Sequence, residues 1–198
     1  MESQLIAQVI ADQQAAFQEH ELGISREFDL AEVLRTPRVI VITGIRRSGK
    51  STLLRQIAAE VESYYYINFD DERLFHFEVE DFQSLMFEFQ KHGEAKTILI
   101  DEVQNVQGWE RFVRRLHDER YKVIITGSNA KLLSSELATH LTGRYRKIEL
   151  FPFSFSEYLR FKAIASQSLT TKNTARIVKA FDEYLVSGGF PEYLYDGS

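Results

Sequence analysis

Apolar residues occur along the chain in two alternating patterns, as short continuous runs and as longer stretches with helical spacing. Short runs are typical of buried strands, and helical spacing is typical of amphipathic helices. Strands that alternate with helices, and that are apolar on both faces, indicate an α/β fold with a parallel sheet covered on both sides. The predicted strands cover residues 38–43, 64–69, 97–100, 122–126 and 144–150, and predicted helices cover residues 4–22, 82–90, 109–119 and 130–140.

The pattern changes after residue 153, where short helices are predicted over residues 154–161 and 174–186 with a polar stretch between them. At the other end, Gly23 is the expected stop of the first helix. The chain is therefore expected to consist of an N-terminal helical segment, a core, and a small helical lid or the start of a further domain. These three parts are residues 1–37, 38–153 and 154–198.

The first predicted strand leads directly into a glycine-rich loop, and an amphipathic helix follows it. The loop matches G-x-x-x-x-G-K-[ST], the phosphate-binding pattern, in the strand-to-helix context that gives the pattern its meaning. Its glycines let main-chain N–H groups surround a triphosphate, which the positive end of the helix also attracts. Lys50 is predicted to reach the β- and γ-phosphates, and Ser51 to ligate Mg²⁺. The predicted nucleotide-binding residues are Gly44, Ile45, Arg46, Arg47, Ser48, Gly49, Lys50, Ser51 and Thr52.

Two adjacent carboxylates follow the third predicted strand, at the edge of a parallel sheet where ligands bind. Asp101 is predicted to hold Mg²⁺, and Glu102 to orient and deprotonate an attacking water. An acidic turn after a strand is the alternative, but the phosphate-binding loop favours the catalytic pair.

The fourth predicted strand ends in the polar sequence Thr-Gly-Ser-Asn at residues 126–129. Ser128 and Asn129 are both candidates to hydrogen-bond a γ-phosphate or the attacking water. Asn129 is preferred because its amide can donate and accept at once. The alternative role for Asn129 is to cap the helix predicted from residue 130.

With these motifs the chain resembles the AAA+ branch of P-loop ATPases. More narrowly, it resembles a bacterial and archaeal family that joins an AAA-type ATPase core to a C-terminal domain of unknown function. The resemblance implies a P-loop NTPase three-layer sandwich with strand order 5-1-4-3-2, the cofactors ATP and Mg²⁺, and a chain that stops where the C-terminal domain would begin. The segments that carry it are residues 44–54, 100–109, 126–129, 141–144 and 188–191.

The resemblance also assigns roles to two residues outside the core motifs. Arg144, just before the fifth strand, would reach the nucleotide of a neighbouring subunit, which requires a homo-oligomer. Arg146 is a rival expected on the same strand face, and both arginines could instead only solvate the start of the strand. Pro191 resembles the lid proline that STAND signalling ATPases pack near adenine, although a helix-ending turn would also explain its segment.

Composition narrows the class of protein further. The chain of 198 residues is 44% hydrophobic and suits one domain with a small appendage. It has no cysteine, which excludes disulfides, thiolate catalysis and cysteine-ligated zinc, and its histidines show no ligand spacing that would add a metal to Mg²⁺. The net charge of −5 argues against broad nucleic-acid binding, although it does not exclude binding through a local basic patch. Without an apolar span or a secretion signal, a cytoplasmic location with no membrane partner is expected.

Together these features predict Mg²⁺-dependent ATP binding and hydrolysis that drives a conformational change. The chain has no Asn-Lys-x-Asp sequence, which argues against guanine recognition. A slowly hydrolysing, STAND-like switch that acts on nucleic-acid, defence or signalling partners is the alternative prediction.

Overall fold

A computed structural model describes residues 1–128, 141–167 and 170–196. In these ranges five parallel strands form one sheet in the order β2-β3-β4-β1-β5, which confirms the predicted order. The strands are β1 (Val39–Gly44), β2 (Tyr64–Asn68), β3 (Thr97–Asp101), β4 (Lys122–Gly127) and β5 (Tyr145–Leu150).

Helices cover both faces and one end of the sheet. The predicted helix over residues 130–140 lies outside the described residues. Three short 3₁₀ turns, Glu72–Leu74, Val79–Asp81 and Val103–Asn105, lie in loops that follow β2 and β3. The helices are α1 (Ser3–Glu19), α2 (Leu30–Arg35), α3 (Lys50–Ala58), α4 (Phe82–Lys91), α5 (Trp109–Asp118), α6 (Phe155–Phe161), α7 (Thr171–Ser187) and α8 (Pro191–Asp196).

The sheet separates two hydrophobic cores because successive residues of a strand point to opposite faces. On β1, Val39 and Val41 pack with α1, α4 and α5, whereas Ile40 and Ile42 pack with α2 and α3. A third cluster joins the loop after β5 to helices α6 to α8. This arrangement is the predicted three-layer sandwich with additional C-terminal helices.

Helix α1 protects the edge strand β2. Its Gln13 side chain accepts a hydrogen bond from Asn68 N at 2.8 Å and donates to Asn68 O at 3.0 Å, which satisfies main-chain groups at the sheet edge. Phe17 stacks on Tyr66 with ring centroids 3.8 Å apart. Helix α1 thus shields part of this edge from pairing with another strand.

The N-terminal segment differs from its prediction. Helix α1 ends at Glu19 rather than at Gly23. The extended chain that follows is bound to α3, because Gln56 Nε2 donates to Leu22 O at 2.7 Å and to Ile24 O at 2.8 Å. These bonds satisfy two carbonyls of the extended chain and attach it to α3.

Helices α2 and α8 are further differences, since the apolar pattern did not predict either of them. In the described ranges, no helix combines the length and apolar character needed to cross a bilayer.

Candidate functional site

The phosphate-binding loop joins the carboxyl end of β1 to the start of α3. Gly49 precedes the helix with φ +92°, a conformation that favours glycine. The Lys50 side chain is only 5% exposed and folds back over the loop, where Nζ donates to Gly44 O at 3.3 Å and to Ile45 O at 3.2 Å. The ammonium group is therefore held inside the loop, where a phosphate would replace or share its carbonyl partners.

Tight packing fixes the beginning of the loop. A Cβ on Gly44 would lie 2.3 Å from Leu150 O, so only glycine fits beside β5. The hydroxyl oxygens of Thr43 and Ser48 are buried and have no hydrogen-bond partner within the described ranges. Buried polar groups are usually paired, so these two hydroxyls fit a loop that is built around a polar ligand.

Asp101 ends β3 beside the loop and is almost completely buried. Burial raises the pKa of its carboxyl, and hydrogen bonds from the Ser51 and Thr126 hydroxyls act in the opposite direction. A cation would favour the ionised form of this buried acid. Magnesium prefers oxygen ligands and commonly takes one or two from protein, so Asp101 and Ser51 fit the predicted Mg²⁺ site.

Glu102 has an unusual backbone conformation, with φ +50° and ψ +47°. Its N–H donates to Thr126 Oγ1 at 3.0 Å. The side chain turns toward the loop, with Oε1 3.7 Å from Lys50 Nζ. Its other oxygen, Oε2, accepts from Gln104 Nε2 at 2.6 Å and from Ser128 Oγ at 3.0 Å. Left-handed backbone at a residue other than glycine costs energy and is frequent at functional sites.

A buried arginine connects the loop to the C-terminal helices. Arg26 donates from Nε to Glu157 Oε1 at 2.9 Å, from one terminal nitrogen to Ser48 O at 2.8 Å, and from the other to Phe151 O at 2.6 Å. The Arg26 and Glu157 side chains are 5% and 4% exposed. This ion pair joins the chain before β1, the phosphate-binding loop and helix α6.

A cavity of about 360 Å³ lies next to the loop, between the N-terminal segment and α8. Pro191 lines it together with Gly49 and Thr52 of the loop and helix α3. Arg47 of the loop also contacts α8, through an ion pair from Nε to Glu192 Oε2 at 2.7 Å. Pro191 therefore lies close to the phosphate-binding loop, and its contact with adenine stays a prediction.

Comparison with known proteins shows the family of the chain. A family model described as an AAA domain matches residues 36–159. The chain belongs to this AAA domain family. An uncharacterised Haemophilus influenzae protein is 41% identical over 182 residues, covering 85% of this chain and 44% of that protein. An uncharacterised Methanocaldococcus jannaschii protein is 39% identical over 158 residues, covering 78% of this chain and 36% of that protein. The AAA domain chain thus spans less than half the length of either relative.

Solved structures show the same fold at low sequence identity. AMPPCP-bound DnaA from Aquifex aeolicus matches with TM-score 0.57 and 15% identity, over 85% of this chain and 57% of that one. The Saccharomyces cerevisiae Hsp104–ADP complex matches with TM-score 0.60 and 15% identity, over 93% of this chain and 31% of that one. A STAND protein from Pyrococcus horikoshii matches with TM-score 0.53 and 19% identity, over 88% of this chain and 29% of that one. The fold of this AAA domain is therefore that of AAA+ P-loop ATPases.

The two arginine candidates lie away from the chain's own loop. Tyr145, the first residue of β5, is opposite Val39, the first residue of β1, so Arg144 lies at the amino edge of the sheet. Its terminal nitrogen donates to Asp118 Oδ1 at 3.2 Å. Arg146 pairs with Glu32 on the other face of the sheet. The expectation that both share a strand face is wrong, because Arg144 precedes the strand.

The site thus brings together Lys50, Ser51, Asp101 and Glu102, as predicted for the AAA domain. Asn129 lies outside the described residues, and Ser128, the rival candidate, contacts Glu102. Sequence reasoning missed Arg26, Gln104 and Thr126. A signal existed for Gln104, a polar residue two positions after Glu102, but Arg26 has no motif to mark it.

Proposed function

We propose that this AAA domain binds Mg-ATP and hydrolyses it to drive a conformational change. The observation that carries the proposal is the convergence of a buried lysine and two carboxylates at the carboxyl edge of the sheet, with Lys50 Nζ 3.7 Å from Glu102 Oε1. Water attack requires a cation for the phosphates, a metal ligand and a general base. Lys50, Asp101 and Glu102 would fill these roles.

In this proposal each residue has a separate task. The loop N–H groups and Lys50 bind the triphosphate, and Ser51 and Asp101 hold Mg²⁺. When bound, Mg²⁺ neutralises the charge that develops on the transferred phosphoryl group. Glu102 takes a proton from water, at the oxygen that faces Lys50. Ser128, hydrogen-bonded to Glu102, is placed to orient that carboxylate.

The cavity beside Pro191 would take the nucleotide base. It adjoins Gly49 and Thr52, at the end of the loop where a bound triphosphate would continue into its nucleoside. Helices α6 to α8 would then act as a lid, because α8 contributes Pro191 to the cavity and Glu192 to the ion pair with Arg47. The DnaA and Hsp104 structures of the same fold hold AMPPCP and ADP, which is consistent with nucleotide binding by this domain.

A second candidate function is a slowly hydrolysing switch whose output is the position of the lid. The direct contact between Arg47 and Glu192 favours it, since a nucleotide in the loop would compete with this contact. Its partners, whether nucleic acid, defence or signalling proteins, would act through other parts of a longer protein. Single-turnover kinetics separates the two: an ATPase machine cycles, whereas a switch holds ATP for minutes and changes shape.

Calorimetry with Mg-ATP tests the nucleotide-binding part of the proposal. Lys50→Ala should weaken Mg-ATP affinity about 10- to 100-fold, the effect of one charge-assisted hydrogen bond of about 1.5–3 kcal/mol. Lys91→Ala is the matched control, because Lys91 is half-exposed and pairs with Glu88 on α4. Folded wild-type protein without Mg²⁺-dependent ATP affinity would refute the proposal.

The position of Arg144 predicts action between subunits. Because it lies at the opposite edge of the sheet from its own loop, it can reach a nucleotide only in a neighbouring copy. Such an arginine typically contributes about 10³ to 10⁵ in rate. Mixing Arg144→Ala with Glu102→Gln protein should restore part of the ATPase rate, because mixed contacts then pair an intact Arg144 with an intact Glu102. Mixing Arg146→Ala with Glu102→Gln protein in the same way identifies which arginine acts. A lack of rescue at every ratio of Arg144→Ala to Glu102→Gln would contradict a role of Arg144 between subunits.

A further inference from the structure

The two carboxylate oxygens of Glu102 have different surroundings. Oε2 accepts three hydrogen bonds, from Gln104 Nε2 at 2.6 Å, Ser128 Oγ at 3.0 Å and Ser128 N at 3.2 Å. Oε1 lies 3.7 Å from Lys50 Nζ. Three donors on Oε2 fix the rotation of the carboxylate, and they thereby direct Oε1 toward the phosphate-binding loop.

Gln104 makes the shortest of these contacts from a rigid position. It lies in the 3₁₀ turn Val103–Asn105, which Asn105 N closes by donating to Glu102 O at 3.1 Å. Val103 is completely buried in the core, and Asn105 Nδ2 donates to Phe69 O at 3.1 Å. The turn is therefore attached on both sides of Gln104, and the amide is held in front of Glu102.

Stability alone does not account for a glutamine here. Its Oε1 is buried without a hydrogen-bond partner among the residues that the structure describes. An unsatisfied buried acceptor destabilises a fold, and an apolar side chain of similar shape removes that cost. The carbonyl half of the amide therefore adds nothing to stability, whereas the N–H half holds Glu102, which fits a functional reason for the glutamine.

We propose that Gln104 is a positioning residue of the hydrolytic step, alongside Ser128. Its N–H group holds Oε2 of Glu102, so that Oε1 stays directed at the water that attacks the γ-phosphate. Gln104 itself touches neither nucleotide nor water in this role. The inference rests on the proposed ATPase function and assigns it a residue outside the known motifs of the chain.

Gln104→Leu tests the inference, because leucine keeps the approximate shape and removes the donor. We expect kcat to fall about 10- to 100-fold, the range for misplacement of a catalytic group. The KM for ATP, the calorimetric Mg-ATP affinity and the melting temperature should stay unchanged, or the melting temperature should rise. Gln104→Glu, which also lacks the donor, should lose rate similarly. Gln107→Leu is the control, since Gln107 is an exposed glutamine in the same loop.

The outcomes separate this inference from the function on which it rests. Wild-type kcat in Gln104→Leu would overturn the inference and leave the ATPase proposal intact. Loss of Mg-ATP affinity or of melting temperature in that variant would also overturn it, because Gln104 would then serve binding or folding. If wild-type protein binds Mg-ATP but shows no Glu102-dependent hydrolysis, the proposed function fails and the inference fails with it.

Discussion

Glu102→Gln should retain Mg-ATP binding and lose turnover by about 10² to 10⁴, the usual contribution of a general base. Glutamine has nearly the same shape and can still accept hydrogen bonds from Ser128. It cannot take a proton from water at neutral pH. It also removes a negative charge close to Lys50, so the affinity for the triphosphate should stay equal or increase.

Single-turnover hydrolysis and calorimetry on the same preparation provide the measurement. Glu72→Gln is a suitable control, because this substitution makes the same chemical change outside the site. Glu72 is exposed in a 3₁₀ turn after β2. An unchanged rate in Glu102→Gln would remove Glu102 from the mechanism. If binding and rate were lost together, the structural role of its left-handed turn would be the better explanation.

The sheet could be predicted well from the sequence because buried parallel strands are continuously apolar. The strand ends were less accurate by one residue, and β1 and β3 run further than predicted at the carboxyl edge. β3 was predicted over residues 97–100, yet it continues to Asp101, which pairs with Asn68 of β2. β1 likewise continues to Gly44, opposite Leu150. At this edge the hydrogen bonds between strands continue into glycine and polar residues, where the apolar pattern has already ended.

Two short helices, α2 and α8, could not be predicted because tertiary contacts determine them. α2 has six residues, too few for a clear period, and depends on the Asp29 cap and on burial of Val33. α8 begins at Pro191, a favoured first helical position, and is anchored by Leu194 in the C-terminal cluster. Gly189 supports this region too, since a Cβ there would lie 2.2 Å from Phe153 O.

The residues of the site also fall into two groups, those that a local motif predicts and those that depend on distant contacts. Lys50, Ser51, Asp101 and Glu102 belong to local motifs, so their identities follow from spacing. Arg26 depends on a partner, Glu157, that is 131 residues away along the chain. No local pattern can reveal such a pair, which exists only after the core and the C-terminal helices have packed.

Removing the Arg26 guanidinium should therefore strongly destabilise the fold. Arg26→Met would leave Glu157 buried with its charge uncompensated, and breaking such a pair typically costs about 3–5 kcal/mol. Glu157 could not simply turn to solvent, because it also accepts hydrogen bonds from Glu27 N at 2.9 Å and Ser154 N at 2.8 Å. The change would also free Ser48 O in the phosphate-binding loop.

Urea unfolding measures this loss in the free energy of unfolding. Arg26→Lys keeps the charge but not the three-way donor geometry, so its destabilisation should be intermediate. Arg160→Ala is the matched control: Arg160 is exposed, pairs with Glu27 at 3.5 Å, and should cost no more than about 1 kcal/mol. Adding Glu157→Gln to Arg26→Met should recover only part of the loss. The uncompensated charge disappears, but the single amide oxygen can accept from only one of the two main-chain donors, Glu27 N and Ser154 N. A cost below about 1 kcal/mol for Arg26→Met would show that water reaches Glu157 and that the ion pair does not hold the loop and helix α6 together.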